Sequence, residues 1–179
     1  MSDSSKNIVE FTLVYNQHKG KLYNFTLKMV NDKMACEDIV QNVFVKLFEN
    51  LDKIRSANSI MFWLFKTARN DIYTFYRNKK IHVDQYGVMD ANEIDLDSSI
   101  KLDEEIELNE TKEIITKTLD AMPVEQREAF LLKEYSGFSY KEIAAMLNIT
   151  EDLVRSRLFK TRQRLLAKLS RIYLNKRML

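Results

Sequence analysis

Proline occurs once and glycine three times in 179 residues. All-β architectures draw heavily on both for tight turns, so this chain is read as all-α, with long helices and short connections. Cysteine also occurs once, as Cys36. An internal disulfide is thereby excluded, which agrees with a reducing compartment. No stretch approaches the roughly 18 uncharged apolar residues of a membrane span, and the polar start, residues 1–6, lacks the apolar core of a signal peptide. A cytoplasmic protein without membrane insertion is expected. The two histidines, His18 and His82, stand without cysteine or carboxylate at ligand spacing, so no metal site is expected. Gly-rich phosphate loops, nucleophile elbows and paired catalytic carboxylates are missing too. Neither a cofactor nor a catalytic residue is assigned, and the chain is not read as an enzyme.

What is abundant is apolar and charged surface: hydrophobic residues make up 45% and charged residues 30%, a globular composition. The net charge of +2 conceals a pattern. Residues 1–80 hold 13 Lys/Arg against 8 Asp/Glu, residues 81–112 hold 2 against 10, and residues 113–179 hold 13 against 8. Two basic modules flank an acidic segment, which points to nucleic-acid contact at both ends. We place the first module at 1–82, an acidic flexible linker at 83–109 and the second module at 110–179.

In the first module, Phe11, Val14, Tyr15, Leu22, Phe25 and Met29 recur at helical spacing from Ile8 to Val30, with Gly20 as a point of bending. A second, unusually apolar helix runs from about Ala35 to Leu51 and includes Ile39, Val43, Phe44, Val45, Leu47 and Phe48. Phe44 and Phe48 read as core. A surface loop, Asp52 to Asn58, precedes a third helix from about Ser59 to Lys80. The stretch from Leu102 to Leu119 reads as helical and leads into the second module.

There the punctuation is explicit. Pro123 suits the first position of a helix, with Glu125 in its first turn; Ser136-Gly137 stops that helix near Tyr135. Ser139 and Glu142 form an S-x-x-E capping box, Asn148 accepts the left-handed conformation that ends a short helix, and Thr150 caps a last helix. This is a helix-turn-helix, whose second helix enters the major groove. Ile143, Ala144, Leu147, Ile149, Val154 and Leu158 form its inward stripe. The outward face presents Arg155, Ser156, Phe159, Lys160, Arg162 and Gln163. Arginine can bind guanine bidentately, an apolar ring can meet a thymine methyl, and further cations neutralise phosphates. An amphipathic helix with a solvated basic face is the plainer alternative.

Met122-Pro-Val-Glu-Gln-Arg-Glu-Ala-Phe-Leu-Leu132, Ser136-Gly-Phe-Ser-Tyr-Lys-Glu-Ile-Ala-Ala-Met-Leu147 and Val154-Arg-Ser-Arg-Leu158 together resemble region 4 of the extracytoplasmic-function (ECF) sigma factors of the sigma-70 family. Glu37-Asp-Ile-Val-Gln-Asn-Val-Phe-Val-Lys-Leu-Phe48 is similar to the polymerase-binding helix of region 2, and Phe62-Trp-Leu-Phe-Lys-Thr-Ala-Arg-Asn70 to its promoter-melting helix. The resemblance implies an alternative sigma factor that binds core RNA polymerase and promoter DNA, with an anti-sigma factor as inhibitor. By the same resemblance, Thr150, Arg155, Ser156, Phe159, Lys160 and Arg162 face the −35 element. It also implies that Asn58, Ser59 and Asn70 face the −10 strand, and Lys66, Tyr73 and Arg77 are assigned there too because base flipping and stacking call for rings and cations beside polar edges. Asp38, Gln41, Asn42 and Phe44 face the polymerase.

The sequence departs from the family at several points: Asn42 stands where an acid is usual, Thr74 where Asp is common, Asn148 at the usual Gly, and Leu153 at a common Thr. Lys160-Thr-Arg162 replaces a frequent Arg-Ala-Arg. A free-standing helix-turn-helix regulator, and a polymerase-binding inhibitor that has lost promoter reading, stay as alternative functions. Trp63 reads as a core anchor or as a stacking platform, and Cys36 as a semi-buried helix residue.

Overall fold

A computed structural model describes residues 3–54, 57–86 and 103–176, and their side chains over 7–54, 59–80 and 111–171. The described residues fall into two compact units, one ending at Tyr86 and one beginning at Asp103. Every regular element among the described residues is helical.

The first unit holds α1 (Asp3–Val30), α2 (Lys33–Asn50) and α3 (Ala57–Tyr86), with a 3-10 turn at Leu51–Lys53. The three helices pack on one another. Leu22, Phe25 and Met29 from α1 meet Cys36, Ile39, Val43 and Leu47 from α2 and Ile60, Leu64, Phe65, Ala68 and Ile72 from α3, all buried. Ile60, Leu64, Ala68 and Ile72 recur every fourth residue, which puts them on one stripe with Phe65 beside it. The Phe25 and Phe65 rings lie 5.2 Å apart, and each fully buried phenylalanine stabilises the unit by roughly 1.5–3 kcal/mol. Helix α1 runs unbroken through Gly20, because burial of Leu22, Phe25 and Met29 along the same helix outweighs a glycine's helix cost of about 1 kcal/mol. Asn31 and Asp32 then turn the chain. Asn31 adopts a left-handed φ of 50° and donates its N–H to the Leu27 carbonyl at 2.8 Å. The Asp32 carboxylate accepts the Ala35 N–H at 3.0 Å, starting α2.

The second unit holds α4 (Asp103–Asp120), α5 (Val124–Glu134), α6 (Tyr140–Leu147) and α7 (Glu151–Lys176). Leu119, Met122, Ala129, Leu131, Leu132, Phe138, Ile143, Met146, Leu147, Val154, Leu158 and Leu165 form its core. Arg127 of α5 pairs with Asp120 of α4 at 2.9 Å. Fully buried Thr161 of α7 points its hydroxyl at the Arg157 carbonyl (3.0 Å), with the Gln126 carbonyl of α5 at 3.5 Å.

Several expectations need correction. Asn58 lies in the first turn of α3 rather than in a loop, since nothing between Ala57 and Tyr86 breaks a helix; its side chain falls outside the described residues. The same lack of breakers carries α3 to Tyr86, directly before Gly87, so residues 83–86 are helical and not linker. At the other end α4 begins at Asp103, so residues 103–109 are helical and not linker either. The linker residues between, 87–102, lie outside the described set, as does the side chain of His82. Pro123 is the N-cap of α5, one position before the first helical residue, its carbonyl accepting the Gln126 and Arg127 N–H groups. Phe48 is half exposed rather than core, as is Val45. Cys36 is fully buried rather than semi-buried.

Candidate nucleic-acid interface

Helices α6 and α7 are joined by a three-residue turn whose geometry follows from its residues. Ser139 and Glu142 close a reciprocal capping box: the Ser139 N–H donates to Glu142 Oε2 at 2.8 Å, and the Glu142 N–H donates to Ser139 Oγ at 3.2 Å. These bonds to Ser139 hold the Glu142 carboxyl below the usual glutamate value. Asn148 ends α6 in the left-handed region (φ 55°, ψ 48°), the Ile149 N–H returns to the Ala144 carbonyl at 3.0 Å, and Thr150 Oγ1 accepts the Leu153 N–H at 3.3 Å. Ile143, Ala144, Leu147, Val154 and Leu158 are buried; Ile149 is half-buried.

The outward face of α7 carries the residues expected to meet duplex DNA. Thr150, Arg155, Phe159, Lys160 and Arg162 are exposed and Ser156 is half-buried. Phe159, at 64% exposed, is an apolar ring offered to solvent on a polar face. The two arginines are already engaged. Arg155 donates to Asp152 at 2.8 Å and to Glu151 at 3.3 Å, and its guanidinium lies 5.4 Å from the Tyr140 ring centre. Arg162 pairs with Glu134 of α5 at 2.5 Å; hydrogen bonds to Glu134 and then Tyr140 hold it above the usual arginine value. Tyr140 and Lys133, whose ammonium stands 4.9 Å from the Tyr140 ring centre, were not singled out by sequence reasoning.

On α3, Ser59, Lys66, Asn70, Tyr73 and Arg77 are spaced by seven, four, three and four residues and so share one stripe of a continuous helix. Ser59, Lys66, Asn70 and Arg77 are exposed; Tyr73 is half-buried, as are Phe62 and Trp63 beside the stripe. Cations and rings are interleaved there: Lys66 lies 5.9 Å from the Phe62 ring centre and Arg69 4.6 Å from that of Tyr73. The Tyr76 hydroxyl donates to the Met29 carbonyl, which fixes this part of α3 on α1.

On α2, Asp38 and Gln41 are exposed on one face. Asn42 donates its amide to Asp71 of α3 at 2.9 Å, and Lys46 binds both oxygens of the same carboxylate at 2.9 Å. Where the resembling family has an acid, the amide therefore serves a joint between helices. Phe44 is buried, edge-on to Tyr15 at 4.7 Å. With Phe11, Tyr15, Gln41, Val45 and Phe48 it lines an open groove of about 610 Å³ between α1 and α2. This apolar groove was not foreseen, because its rings repeat at the same spacing as core residues. Among the described residues no group of three or more His, Cys, Asp or Glu side chains could hold a metal ion, and no helix is long and apolar enough to cross a membrane.

A helix-turn-helix in one unit, and in the other a helix striped with cations and rings, define a class of two-module DNA-binding transcription proteins. Residues 14–81 match the family model described as Sigma-70 region 2, and residues 112–165 match Sigma-70, region 4. The chain is 29% identical over 158 residues to the ECF RNA polymerase sigma factor SigM of Bacillus subtilis, covering 86% of this chain and 91% of that one. It is 26% identical over 178 residues to the ECF RNA polymerase sigma-E factor of Escherichia coli, covering 89% and 93%. Its fold resembles the sigma factor RpoE from Bartonella quintana, solved in complex with the anti-sigma factor NepR (TM-score 0.68, 27% identity, covering 90% and 94% of the two chains). It also resembles CnrH, solved with the cytosolic domain of CnrY (TM-score 0.61, 22% identity, covering 89% and 87%). The chain belongs to the sigma-70 family, in its extracytoplasmic-function group.

Proposed function

We propose that this chain directs promoter-specific initiation as an alternative sigma factor, with labour divided between its units. Asp38 and Gln41, with the groove beside them, dock on core RNA polymerase. The α3 stripe of Ser59, Lys66, Asn70, Tyr73 and Arg77 receives the −10 element as a single strand, since rings and cations suit unstacked bases and a bent backbone. The start of α7 reads the −35 element as duplex through Arg155, Ser156, Phe159 and Lys160, with Arg162 nearer the phosphates. The chain performs no bond chemistry of its own and acts in the cytoplasm, where its polymerase and promoters are. An anti-sigma protein is its expected inhibitor, and the RpoE structure solved in complex with the anti-sigma factor NepR supports this. Helices α1 to α3 and helices α4 to α7 are the working modules.

The observation that carries this reading is the pairing of the α3 stripe with the α6–α7 helix-turn-helix in one chain that matches both sigma regions. The test is reconstitution with core polymerase. Wild type is retained and confers start-site choice; Asp38→Ala with Gln41→Ala loses retention. If core polymerase never retains the wild-type chain, the reading fails, and the free-standing regulator takes its place.

A further inference from the structure

Tyr140 opens α6 with its ring between two cations. The ring centre lies 5.4 Å from the Arg155 guanidinium and 4.9 Å from the Lys133 ammonium, and its hydroxyl helps Glu134 to hold Arg162 above the usual arginine value. Lys133 comes from α5, while Arg155 and Arg162 come from α7. The ring is thus a common seat for side chains from two other helices. Arg155 is held from a second side by Asp152 at 2.8 Å and Glu151 at 3.3 Å. Both carboxylates sit in the first turn of α7, so their charge also offsets the repulsion between Arg155 and Lys133 near one ring.

An arginine that reads a base edge must present its planar fork in one orientation. A long exposed side chain left free spends most of its time elsewhere, and ordering it on DNA costs rotamer entropy. A free guanidinium also pairs with any phosphate, which strengthens binding without sequence information. The seat described here limits both losses. The ring face orients the fork, and the carboxylates compete with phosphates for its N–H groups.

We propose that Tyr140, with Glu151 and Asp152, is a positioning element that preorganises Arg155 for base readout and restrains it from sequence-independent phosphate contact. The ring and not the hydroxyl seats Arg155, so removing the ring and removing the hydroxyl have separable effects. The inference rests on α7 being the −35 helix.

The test uses the full chain assembled with core polymerase, incubated with a pool of promoter duplexes randomised in the upstream element, with retained sequences counted. Arg155→Ala should flatten the preference at one base-pair position, by about 5- to 150-fold. Tyr140→Leu should flatten the same position about 2- to 5-fold, and Tyr140→Phe, which keeps the ring, should leave it within about twofold of wild type. Adding Tyr140→Leu to Arg155→Ala should flatten it no further. Glu151→Gln with Asp152→Asn should raise retention of the whole pool while lowering preference at that position. Thermal unfolding reports whether Tyr140→Leu is folded; should it not be, Tyr140→Phe and the carboxylate pair decide alone. The Tyr140 proposal is overturned if Arg155→Ala flattens a position that folded Tyr140→Leu leaves sharp. It is equally overturned if Phe and Leu flatten alike, if the double variant is additive, or if the carboxylate pair leaves preference unchanged. If Arg155→Ala flattens no position, the assignment of α7 as the reading helix falls, and the proposal falls with it.

Discussion

The two units solve the same problem by different means. In the first, α1, α2 and α3 run for 28, 18 and 30 residues, and a broad aromatic and aliphatic core holds them. In the second, α5 and α6 span only 11 and 8 residues. Isolated helices that short are marginal in water, so caps and turns must specify where each begins and ends. The first unit depends on volume filled; the second depends also on punctuation. The units differ as well in how they hold their cations. Lys66 and Arg69 of α3 rest on rings, whereas Arg162 of α7 is tied by a carboxylate and Arg155 by two carboxylates as well as a ring. Rings leave a cation's charge available to a strand and are themselves stacking surfaces. Carboxylates must be displaced first, which favours a partner that offers a better fit.

The largest effect should come from the first unit's core. Phe65→Ala is expected to cost about 3–5 kcal/mol, read as a lowered urea midpoint; a cost under about 1 kcal/mol would mean that volume is not what holds this unit. Next is Gly137→Ala. Gly137 has a φ of +82°, and although a Cβ would meet nothing within 4 Å, the conformation itself costs an L-residue about 1–2 kcal/mol. Amide exchange in α5 and α6 would report the loss. Ser139→Ala should cost about 1 kcal/mol and carries a pH signature. The Glu142 carboxyl is held below its usual value by Ser139. Its stabilising contribution is present above the unfolded glutamate pKa of about 4.3 and is lost as pH falls through the lower folded value. Because Glu142 is exposed the effect is small, and Ser139→Ala should abolish it; an unchanged acid slope in thermal melts would contradict the capping role. The smallest effect has the opposite sign. Gly20→Ala, in mid-helix with nothing within 4 Å of a new Cβ, should stabilise by up to about 1 kcal/mol. Were it to destabilise, the packing of α1 would depend on that glycine.

The same contrast explains what was legible in the sequence. In the second unit the caps are chemical statements made by single residues, so Ser139, Glu142, Asn148 and Thr150 could be read one at a time. In the first unit the elements were visible through periodicity, but spacing alone does not say what covers an apolar face. Phe44 and Phe48 share a stripe, and only the packing of α1 leaves one buried and the other half exposed. The Asn31-Asp32 turn carried a readable signal, a residue tolerant of left-handed backbone followed by an N-cap acid. Pairings across helices, such as Asn42 with Asp71 or Arg162 with Glu134, carried none, because they depend on which faces tertiary packing brings together. The pairs of Arg155 with Glu151 and Asp152 lay at i,i+4 and i,i+3 and were open to inspection.

Burial first, and then the neighbouring Glu37 and Asp32, push the Cys36 thiol up to about 12, and its sulfur sits 3.5 Å from the Tyr23 carbonyl inside the first unit. At neutral pH it has almost no thiolate to offer an electrophile. The buried thiol is therefore expected to react with maleimide dyes far more slowly than a cysteine introduced on the outer face of α3 or α7, and comparing the labelling of the native chain with that of such a variant checks this. Fluorescence from α3 and from α7 can then be followed separately, without first removing the natural thiol.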